Sequence, residues 1–357
     1  EQDFFDRCDE YFDARVSGLD FSQGEAVKDT VNNWVEENTN GRIKDILKNV
    51  HPLAVMYLVN AIYFNGTWTY QFDEEDTKED VFYLRGDRTK ECEMMEVKSQ
   101  FKYCEDSNAQ AIDIPYGNDN YSMTVILPGY GKDIEEFVAG LTQEKWNEWM
   151  GSFYEDSVNL FLPKLKLEYK AGDILKKVLI DMGMGVAFDE GLADFTEMYS
   201  PGDIFINKVI HKTFLEVDEE GTEAAAATVV EIIESSIPEH PTVYLNRPFV
   251  FAIRENYSGS ILFLSLLILI CTSGCNLWNS DEPLRELSSS ERELIEADNS
   301  FGLKLFKEIN SRETDSNVFT RARRCSPPAP RRRSPRGRRS GRAPSRGTCS
   351  PRPPPRD

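Results

Sequence analysis

The sequence predicts an α+β fold, in which long strands and helices follow one another without strict alternation. Three observations predict it: near-continuous apolar runs typical of buried strands, segments with helical apolar period, and Asn-Gly or Gly-rich turns between them. Of the 357 residues, 40% are hydrophobic and 11% aromatic. Wholesale disorder is therefore excluded, and the chain is long enough to bury a substantial core.

Four helices are predicted. Ser22-Gln-Gly-Glu25 has the form of a capping box, and Asn40-Gly41 ends the helix that follows it. Residues 133–149, 170–182 and 290–310 also have helical period. In the last of these helices, the expected apolar stripe consists of Leu294, Phe301, Leu305 and Ile309.

Strands are predicted between these helices. The apolar run at 52–64 is typical of a strand that is buried on both faces. Residues 113–116 and 121–128 predict a hairpin around the turn at 117–120. Three further strands are expected at 157–167, 204–217 and 243–254. The folded body is therefore expected to cover residues 1–263.

The charge distribution divides the chain into two parts. The net charge is −20, and such an acidic chain argues against a nucleic-acid-binding body. Residues 320–357, however, contain 13 arginines and one acidic residue, which leaves −32 for residues 1–319. Nine of the 18 prolines also lie there. We interpret this tail as disordered and out-of-frame in origin; a basic nucleic-acid-binding arm is the functional alternative.

An internal apolar run, residues 261–271, is about half as long as a transmembrane helix requires, so no transmembrane segment is expected. It has the length of a signal-peptide core, and Thr272-Ser-Gly-Cys275 follows it like a lipoprotein cleavage box. Cys275 is then a candidate lipidation site, and residues 264–279 a signal-like segment with linker. The alternative is a buried strand that continues from Ser260. The residues after Glu1 lack the pattern of a signal peptide.

Motifs for catalysis and metal binding are missing from the sequence. The seven cysteines contain no CxxC spacing, so neither a disulfide framework nor a zinc site is expected. The three histidines form no HExxH motif, and no GxSxG or phosphate loop occurs. We therefore predict that the chain is not an enzyme and takes no cofactor or metal, although its 61 acidic residues leave a carboxylate-pair hydrolase open.

The run Glu219-Glu-Gly-Thr-Glu-Ala-Ala-Ala-Ala-Thr228 is the most specific feature. Taken alone, it is typical of the start of a surface helix. It follows a strand, however, and precedes Asn246-Arg-Pro-Phe-Val-Phe251 by about 20 residues, an order that resembles the reactive-loop hinge and C-terminal signature of the serpins, the serine protease inhibitors. Matches in family order include Tyr11-Phe-Asp-Ala14, Asn32-Asn-Trp34, Leu58-Val-Asn-Ala-Ile-Tyr-Phe-Asn-Gly-Thr-Trp68, Leu162-Pro-Lys164 and His211.

The resemblance covers residues 1–263, the C-terminal two-thirds of a bacterial-type serpin. Residues 280–319 resemble the beginning of a serpin, its first helix and the start of the next strand, Ser316-Asn-Val-Phe319. The order is thus permuted, and the segment expected between Phe319 and Glu1 is missing. We interpret the chain as a mis-joined or truncated gene product. The implied fold has three β-sheets, surrounding helices and an exposed reactive loop, and is incomplete here.

The resemblance implies a suicide inhibitor. The target's serine attacks the loop and forms an acyl-enzyme, and the cleaved loop then inserts as a strand into the central sheet. Glycine at Gly221 supplies a pivot. Side chains at alternate positions would point inward, and those through Thr228 are small: Thr222, Ala224, Ala226 and Thr228, with Val230 and Ile232 behind them. Glu223, Ala225, Ala227 and Glu231 fall on the other face. This pattern favours an inhibitory loop.

The family's spacing from Glu219 puts the cleaved bond at Ser235-Ser236, or at Glu234-Ser235 in a register one residue shorter. The first suits an elastase-like protease and the second a glutamate-specific one. Neither Arg nor Lys lies between Glu219 and Tyr244, which argues against trypsin-like targets.

Two supporting sites are implied by the resemblance. Trp68, Lys164 and Glu219 match the point where the loop first enters the sheet, with a Lys–Glu pair that holds the hinge. Asn60 and His211 match a mid-sheet hydrogen-bond cluster, and a satisfied buried histidine is the plain alternative for His211.

The family also implies a monomer whose partner is a serine protease, with a cysteine protease as the second class of target. The lipoprotein-like segment predicts a location outside the cell or at its surface, either secreted or lipid-anchored. A non-inhibitory binding or storage protein and a non-functional fragment of low stability are the competing interpretations.

Overall fold

The computed structural model describes residues 2–12, 14–86, 88–171, 173–202, 204–222, 240–267, 287–312 and 318–320. All of these belong to one unit that ends at Ser326; the second unit, 327–357, lies outside the described residues. The described residues contain six α-helices: α1 Gln2–Phe12, α2 Gly24–Asn38, α3 Ile134–Ala139, α4 Gln143–Ser152, α5 Asp173–Leu179 and α6 Ser289–Asn310.

The strands in the described residues form three sheets, and the predicted α+β class is confirmed. The strands are β1 Tyr57–Tyr63, β2 Gly66–Thr67, β3 Lys78–Tyr83, β4 Thr89–Glu105, β5 Ala109–Tyr116, β6 Tyr121–Pro128, β7 Tyr154–Pro163, β8 Leu165–Ala171, β9 Lys208–Val217, β10 Gly221–Thr222, β11 Thr242–Tyr244, β12 Phe249–Glu255, β13 Ile261–Leu267 and β14 Val318–Thr320.

The sheets differ greatly in size. The largest has the order β11-β7-β4-β5-β6-β12-β13-β14, with β3 paired to β4. A second sheet has the order β1-β9-β8, in which β1 and β9 are parallel, and β10 pairs with β2 in a two-stranded ribbon. Most buried side chains form one core along the large sheet, and a smaller cluster packs α2 against β1 and β9.

Several predicted elements have different boundaries. The capping box at Ser22 is wrong: α2 begins at Gly24 without a side-chain cap, because Asp20 takes the backbone N–H and hydroxyl of Ser22. The predicted helix 133–149 is divided at Gly140 by the new N-cap Thr142. The predicted strands 157–167 and 243–254 are each two strands: a break at Lys164 separates β7 from β8, and residues 245–248 separate β11 from β12.

The run at 52–64 was expected to be buried on both faces, and this is wrong. The strand β1 begins at Tyr57 and is mostly half-buried, with Leu58 43% exposed. In the described residues, α2 covers one face of β1, and on the other face Ile62 is buried in the main core while Leu58 is exposed, so an apolar run indicates a strand without showing how far each face is covered.

The body does not end at residue 263. Strand β13 continues to Leu267 and is hydrogen-bonded between β12 and β14. For Ile261–Leu267 the strand alternative is therefore the correct one, and the signal-like interpretation of 264–267 is wrong. A short apolar run cannot by composition distinguish a buried strand from a signal core. Residues 268–279, including Cys275, lie outside the described residues.

Candidate functional site

The predicted residues Trp68, Lys164 and Glu219 lie together where β9 ends. Glu219 is buried, and its Oε1 is 2.7 Å from Lys164 Nζ. The same oxygen accepts a hydrogen bond of 2.7 Å from the hydroxyl of Thr77. We call these four residues the hinge clasp. Sequence analysis missed Thr77, which follows an acidic run, Asp73–Asp76, that carries no strand signal.

The charges of the clasp stabilise each other. Burial alone would raise the pKa of Glu219, but hydrogen bonds from Lys164 and Thr77 outweigh it and hold that pKa below the usual value. Burial alone would lower the pKa of Lys164, and the hydrogen bond and charge of Glu219 raise it instead. The clasp is therefore a charged, hydrogen-bonded pair rather than a neutral one at pH 7.

Backbone hydrogen bonds tie the same segment to the residues after β2. The backbone N–H of Trp68 donates to Glu220 O, and its indole N–H donates to Asp218 O, both at 3.0 Å. The indole ring stacks on Tyr116, with ring centroids 4.3 Å apart. Phe72 N–H donates to Glu219 O at 3.0 Å. The segment 218–220 is thus held along its whole length.

Gly221 follows the clasp and cannot carry a side chain in this position. Its φ is +152°, and a Cβ would lie 2.3 Å from Gly66 O and 2.7 Å from the Cα of Thr67. Glycine is required by the close approach of β10 to β2 as well as by backbone conformation. The predicted pivot therefore lies where the backbones of β10 and β2 approach too closely for a side chain at Gly221.

The predicted mid-sheet residues are also brought together. Asn60 of β1 lies opposite His211 of β9, the fourth of seven pairs in the parallel ladder. His211 is buried, and its Nε2 lies 3.1 Å from the hydroxyl of Thr213, which is buried as well. Sequence analysis missed Thr213, although its position two residues from His211 on one strand puts both side chains on one face.

The remaining predicted positions lie outside the described residues. These are the hinge residues Glu223, Ala224, Ala225, Ala226, Ala227 and Thr228, the candidate cleavage positions Glu234, Ser235 and Ser236, and Cys275.

A cavity of about 230 Å³ lies apart from the clasp, between α4, the β12–β13 turn and α6. Its lining includes Trp146 and Met150 of α4, Arg254 of β12, and Arg292, Ile295 and Asn299 of α6. Among the described residues, no cluster of His, Cys, Asp and Glu could hold a metal ion, and none of the described helices is long and apolar enough to span a membrane.

Comparisons with known proteins find the same family along most of the chain. The family model "Serpin (serine protease inhibitor)" matches residues 1–268. Human Serpin B13 is 38% identical over 269 residues, which cover 73% of this chain and 68% of that protein.

Two solved structures extend the likeness to the fold. The native state of tengpin, a thermophilic serpin, matches with 34% identity and a TM-score of 0.63 over 69% of this chain and 63% of that one. Human thyroxine-binding globulin complexed with thyroxine matches with 27% identity and a TM-score of 0.68, over 76% of this chain and 71% of that one. This chain thus spans less than two thirds of the tengpin structure.

Proposed function

The chain belongs to the serpin family, whose members inhibit proteases and are not enzymes, and from that premise we propose that it inhibits a serine endopeptidase as a suicide substrate. The residues after Thr222 offer a substrate bond, and the protease serine forms an acyl-enzyme with it. The freed hinge then enters between β1 and β9. One observation carries this proposal: β1 and β9 pair directly with each other, with no strand between them, and the hinge that follows β9 is held by the clasp.

Insertion requires two groups of contacts to open in order. The clasp has to release Glu219 so that the hinge can turn at Gly221. The β1–β9 ladder then has to part, and Asn60 and His211 separate. The entering strand would restore hydrogen bonds to both sides, which gives the cleaved form its stability. Small inward residues at 222–228 keep the new strand from overpacking.

The cleaved bond and the target are part of the same proposal. Ser235-Ser236 suits an elastase-like protease, whereas Glu234-Ser235 suits a glutamate-specific one. A cysteine protease is the second class of target. We propose that the inhibitor acts as a monomer.

The test is incubation with elastase and with a glutamate-specific protease, followed by denaturing electrophoresis. We expect a covalent complex with one of them and a cleavage site at 234–236. Ala226→Arg, which places a charge on the inward set, should turn the chain into a substrate that is cleaved without a complex. Ala225→Arg on the opposite face is the matched control and should keep the complex. Clean cleavage of the unmodified chain by both proteases would contradict inhibition.

A binding protein is the second candidate, and the cavity between α4 and α6 is the observation that favours it. Its volume of about 230 Å³ is below the 300–1,000 Å³ of most ligand pockets, so it suits a small ligand or a fragment of one. Because thyroxine-binding globulin is a structural relative, thyroxine is the first probe. Calorimetry should detect thyroxine binding by the unmodified chain. Arg292→Ala should weaken this binding, and Lys304→Ala, on the same helix but outside the cavity lining, should leave it unchanged. Absence of binding by the unmodified chain would reject this candidate.

The organisation of the chain is a further part of the proposal. We propose that 280–319 corresponds to the beginning of a bacterial-type serpin, that the order is permuted, and that 320–357 is out-of-frame. Location outside the cell or at its surface rests on residues 268–275 alone, since Ile261–Leu267 is a strand. In a bacterial host, the chain should incorporate radiolabelled fatty acid, and Cys275→Ala should abolish this incorporation. If the unmodified chain incorporates no fatty acid, the lipid anchor is rejected.

A further inference from the structure

The segment that follows α2, residues 40–50, lies over the two strands that pair in parallel, and we call it the covering segment. Three of its side chains, those of Ile43, Ile46 and Leu47, are fully buried in the small core. Ile210 of β9 belongs to the same core, and apolar side chains of β1 pack against it. The covering segment therefore shares one apolar core with both strands of the β1–β9 ladder.

Two lysines of the sheet hold the covering segment by hydrogen bonds to its backbone. Lys170 Nζ of β8 donates to Ile46 O at 2.9 Å, and Lys212 Nζ of β9 donates to Lys44 O at 3.4 Å. These two lysines lie opposite each other in the β8–β9 register. Lys212 also pairs with Glu168 at 2.5 Å, with 14% of its side chain exposed. Both ammonium groups are therefore held at defined positions beside the covering segment.

Two more lysines bring their charges to the same place, Lys208 of β9 and Lys48 of the covering segment. Together with Lys170 and Lys212 they form what we call the lysine cluster. Burial, and after it the charges of the other three members, hold the pKa of Lys170 below its usual value. Within the described residues, Lys212 alone among the four forms an ion pair. The chain thus neutralises one of four clustered charges directly, although its net charge is −20.

The lysine cluster joins two pieces of structure, because Lys48 lies on the covering segment and the other three members lie on the sheet. Like charges repel, so Lys48 and the sheet lysines loosen the attachment of the covering segment. An anion between them reverses that interaction. Each ammonium group has three donors, and Lys170 uses one of them on Ile46 O. Chloride offers a single charge, whereas a diphosphate group has several charged oxygens that two or more lysines can share.

We propose that the lysine cluster is a binding site for a diphosphate group, which bridges Lys48 of the covering segment to Lys170 and Lys208 of the sheet. The bound anion holds the covering segment on β1 and β9. The site needs neither a protease nor the residues after Thr222, so it stands apart from the inhibitory function. Where inhibition operates, the anion would also slow the opening of the β1–β9 ladder, and this consequence alone rests on the proposed function.

Isothermal titration calorimetry of the full chain with inorganic pyrophosphate tests the site, and ADP is a second titrant that carries the same group on a nucleoside. Lys48→Gln and Lys208→Gln each remove one charge, and neither side chain forms a hydrogen bond within the described residues. Lys78→Gln, at the exposed first residue of β3, removes the same charge elsewhere and is the matched control. Amide exchange at Leu47, whose backbone N–H donates to Asn32 Oδ1, reports on the attachment of the covering segment.

We expect pyrophosphate to bind at a single site, and each cluster variant to bind it about tenfold more weakly, the factor that corresponds to one charge-assisted hydrogen bond. Lys78→Gln should bind as the unmodified chain does. Pyrophosphate should slow amide exchange at Leu47, and sodium chloride of equal ionic strength should not. Tighter binding of ADP would identify a nucleoside diphosphate as the ligand, and equal or weaker binding the free anion.

Three results would overturn the proposal: no binding by the unmodified chain, equal weakening by all three variants, or binding without slower exchange at Leu47. Neither measurement uses a protease, so a failure of the anion site leaves the inhibitory function standing, and a failure of inhibition leaves the anion site standing.

Discussion

Glu219 is a buried carboxylate whose stabilising partners come from distant parts of the chain. Lys164 lies between β7 and β8, and Thr77 follows the turn Glu74–Asp76. A charge buried without such partners would cost several kcal/mol, so each partner is needed to keep the other residue in place. The hinge clasp thus joins three separate segments of the chain. Its contribution to stability can be tested by a substitution that changes only the charge of Glu219.

Glu219→Gln should remove the pH dependence of the clasp. Because the folded pKa of Glu219 is depressed, its contribution to stability is present above the unfolded pKa near 4.5 and is lost as the pH falls through the folded value. Proteolysis of the hinge should therefore accelerate on acidification below pH 4.5 in the unmodified chain. The E219Q variant should be cleaved quickly at every pH. Glu220→Gln, at an exposed neighbour, is the control; equal pH profiles for all three chains would contradict the prediction.

Gly221→Ala should separate β10 from β2. The added Cβ would overlap backbone atoms of Gly66 and Thr67, which cannot move away as a flexible side chain could. We expect a loss of about 1–3 kcal/mol in unfolding free energy and faster amide exchange at Trp68. Gly151→Ala, in a helix with open space around it, should be neutral or stabilising. Unchanged exchange at Trp68 would show that the ribbon tolerates a side chain.

At the scale of elements, α6 shows that packing against neighbouring elements determines which face of a helix is buried. The predicted stripe contained Leu294 and Phe301, yet these are 43% and 40% exposed, and Ile295 and Phe306 are buried instead. Only Leu305 and Ile309 of the stripe are buried as predicted. The apolar residues of α6 span more than one face, so apolar pattern alone does not determine which face is buried. The buried face is the one that carries Asn299, whose side-chain amide donates to Gly259 O and accepts from the backbone N–H of Ile261 where β12 connects to β13.

Phe306→Ala and Phe301→Ala form a matched pair on this helix. Phe306 is fully buried, and its truncation should cost about 3–5 kcal/mol through lost burial and a residual cavity. Phe301 is partly exposed, and its truncation should cost less than about 1 kcal/mol. Urea unfolding followed by tryptophan fluorescence measures both. Equal losses would mean that the helix is turned relative to the described packing.

For the whole molecule, the sheet β1-β9-β8 is covered incompletely by the described residues. The small core under α2 packs on one face of β1. Beside it, Leu53 is 80% exposed, and Val55 and Leu58 are more than one third exposed. Apolar surface left in water contributes nothing to folding, and a folded domain has a margin of only about 5–15 kcal/mol.

We therefore expect the 357-residue chain to have low thermal stability. Its melting temperature should lie below the roughly 45–65 °C of mesophilic domains, with a broad transition. Differential scanning calorimetry measures this on the full chain. A single cooperative transition within or above that range would contradict the prediction.

Sequence patterns predicted the class of the fold, because hydrophobic period is a local property. The resemblance to the serpins implied three of the four clasp residues, Trp68, Lys164 and Glu219. They did not predict Thr77 or Thr213, whose roles depend on contacts with Glu219 and His211 in space. They also placed residues 264–267 outside the body, in a signal-like segment, since burial of β13 between β12 and β14 is a tertiary property that an apolar run does not disclose. The boundary of the body was therefore placed too early.

The parallel ladder between β1 and β9 has a mechanical consequence. The clasp lies beyond Val217, next to the pair Tyr63–Phe214, and the far end of the ladder is Tyr57–Lys208. A strand that enters from the clasp would separate the seven residue pairs one at a time, and would not have to break all seven together. Opening on the proposed pathway would then proceed in small steps and would reach the Asn60–His211 pair halfway along the ladder.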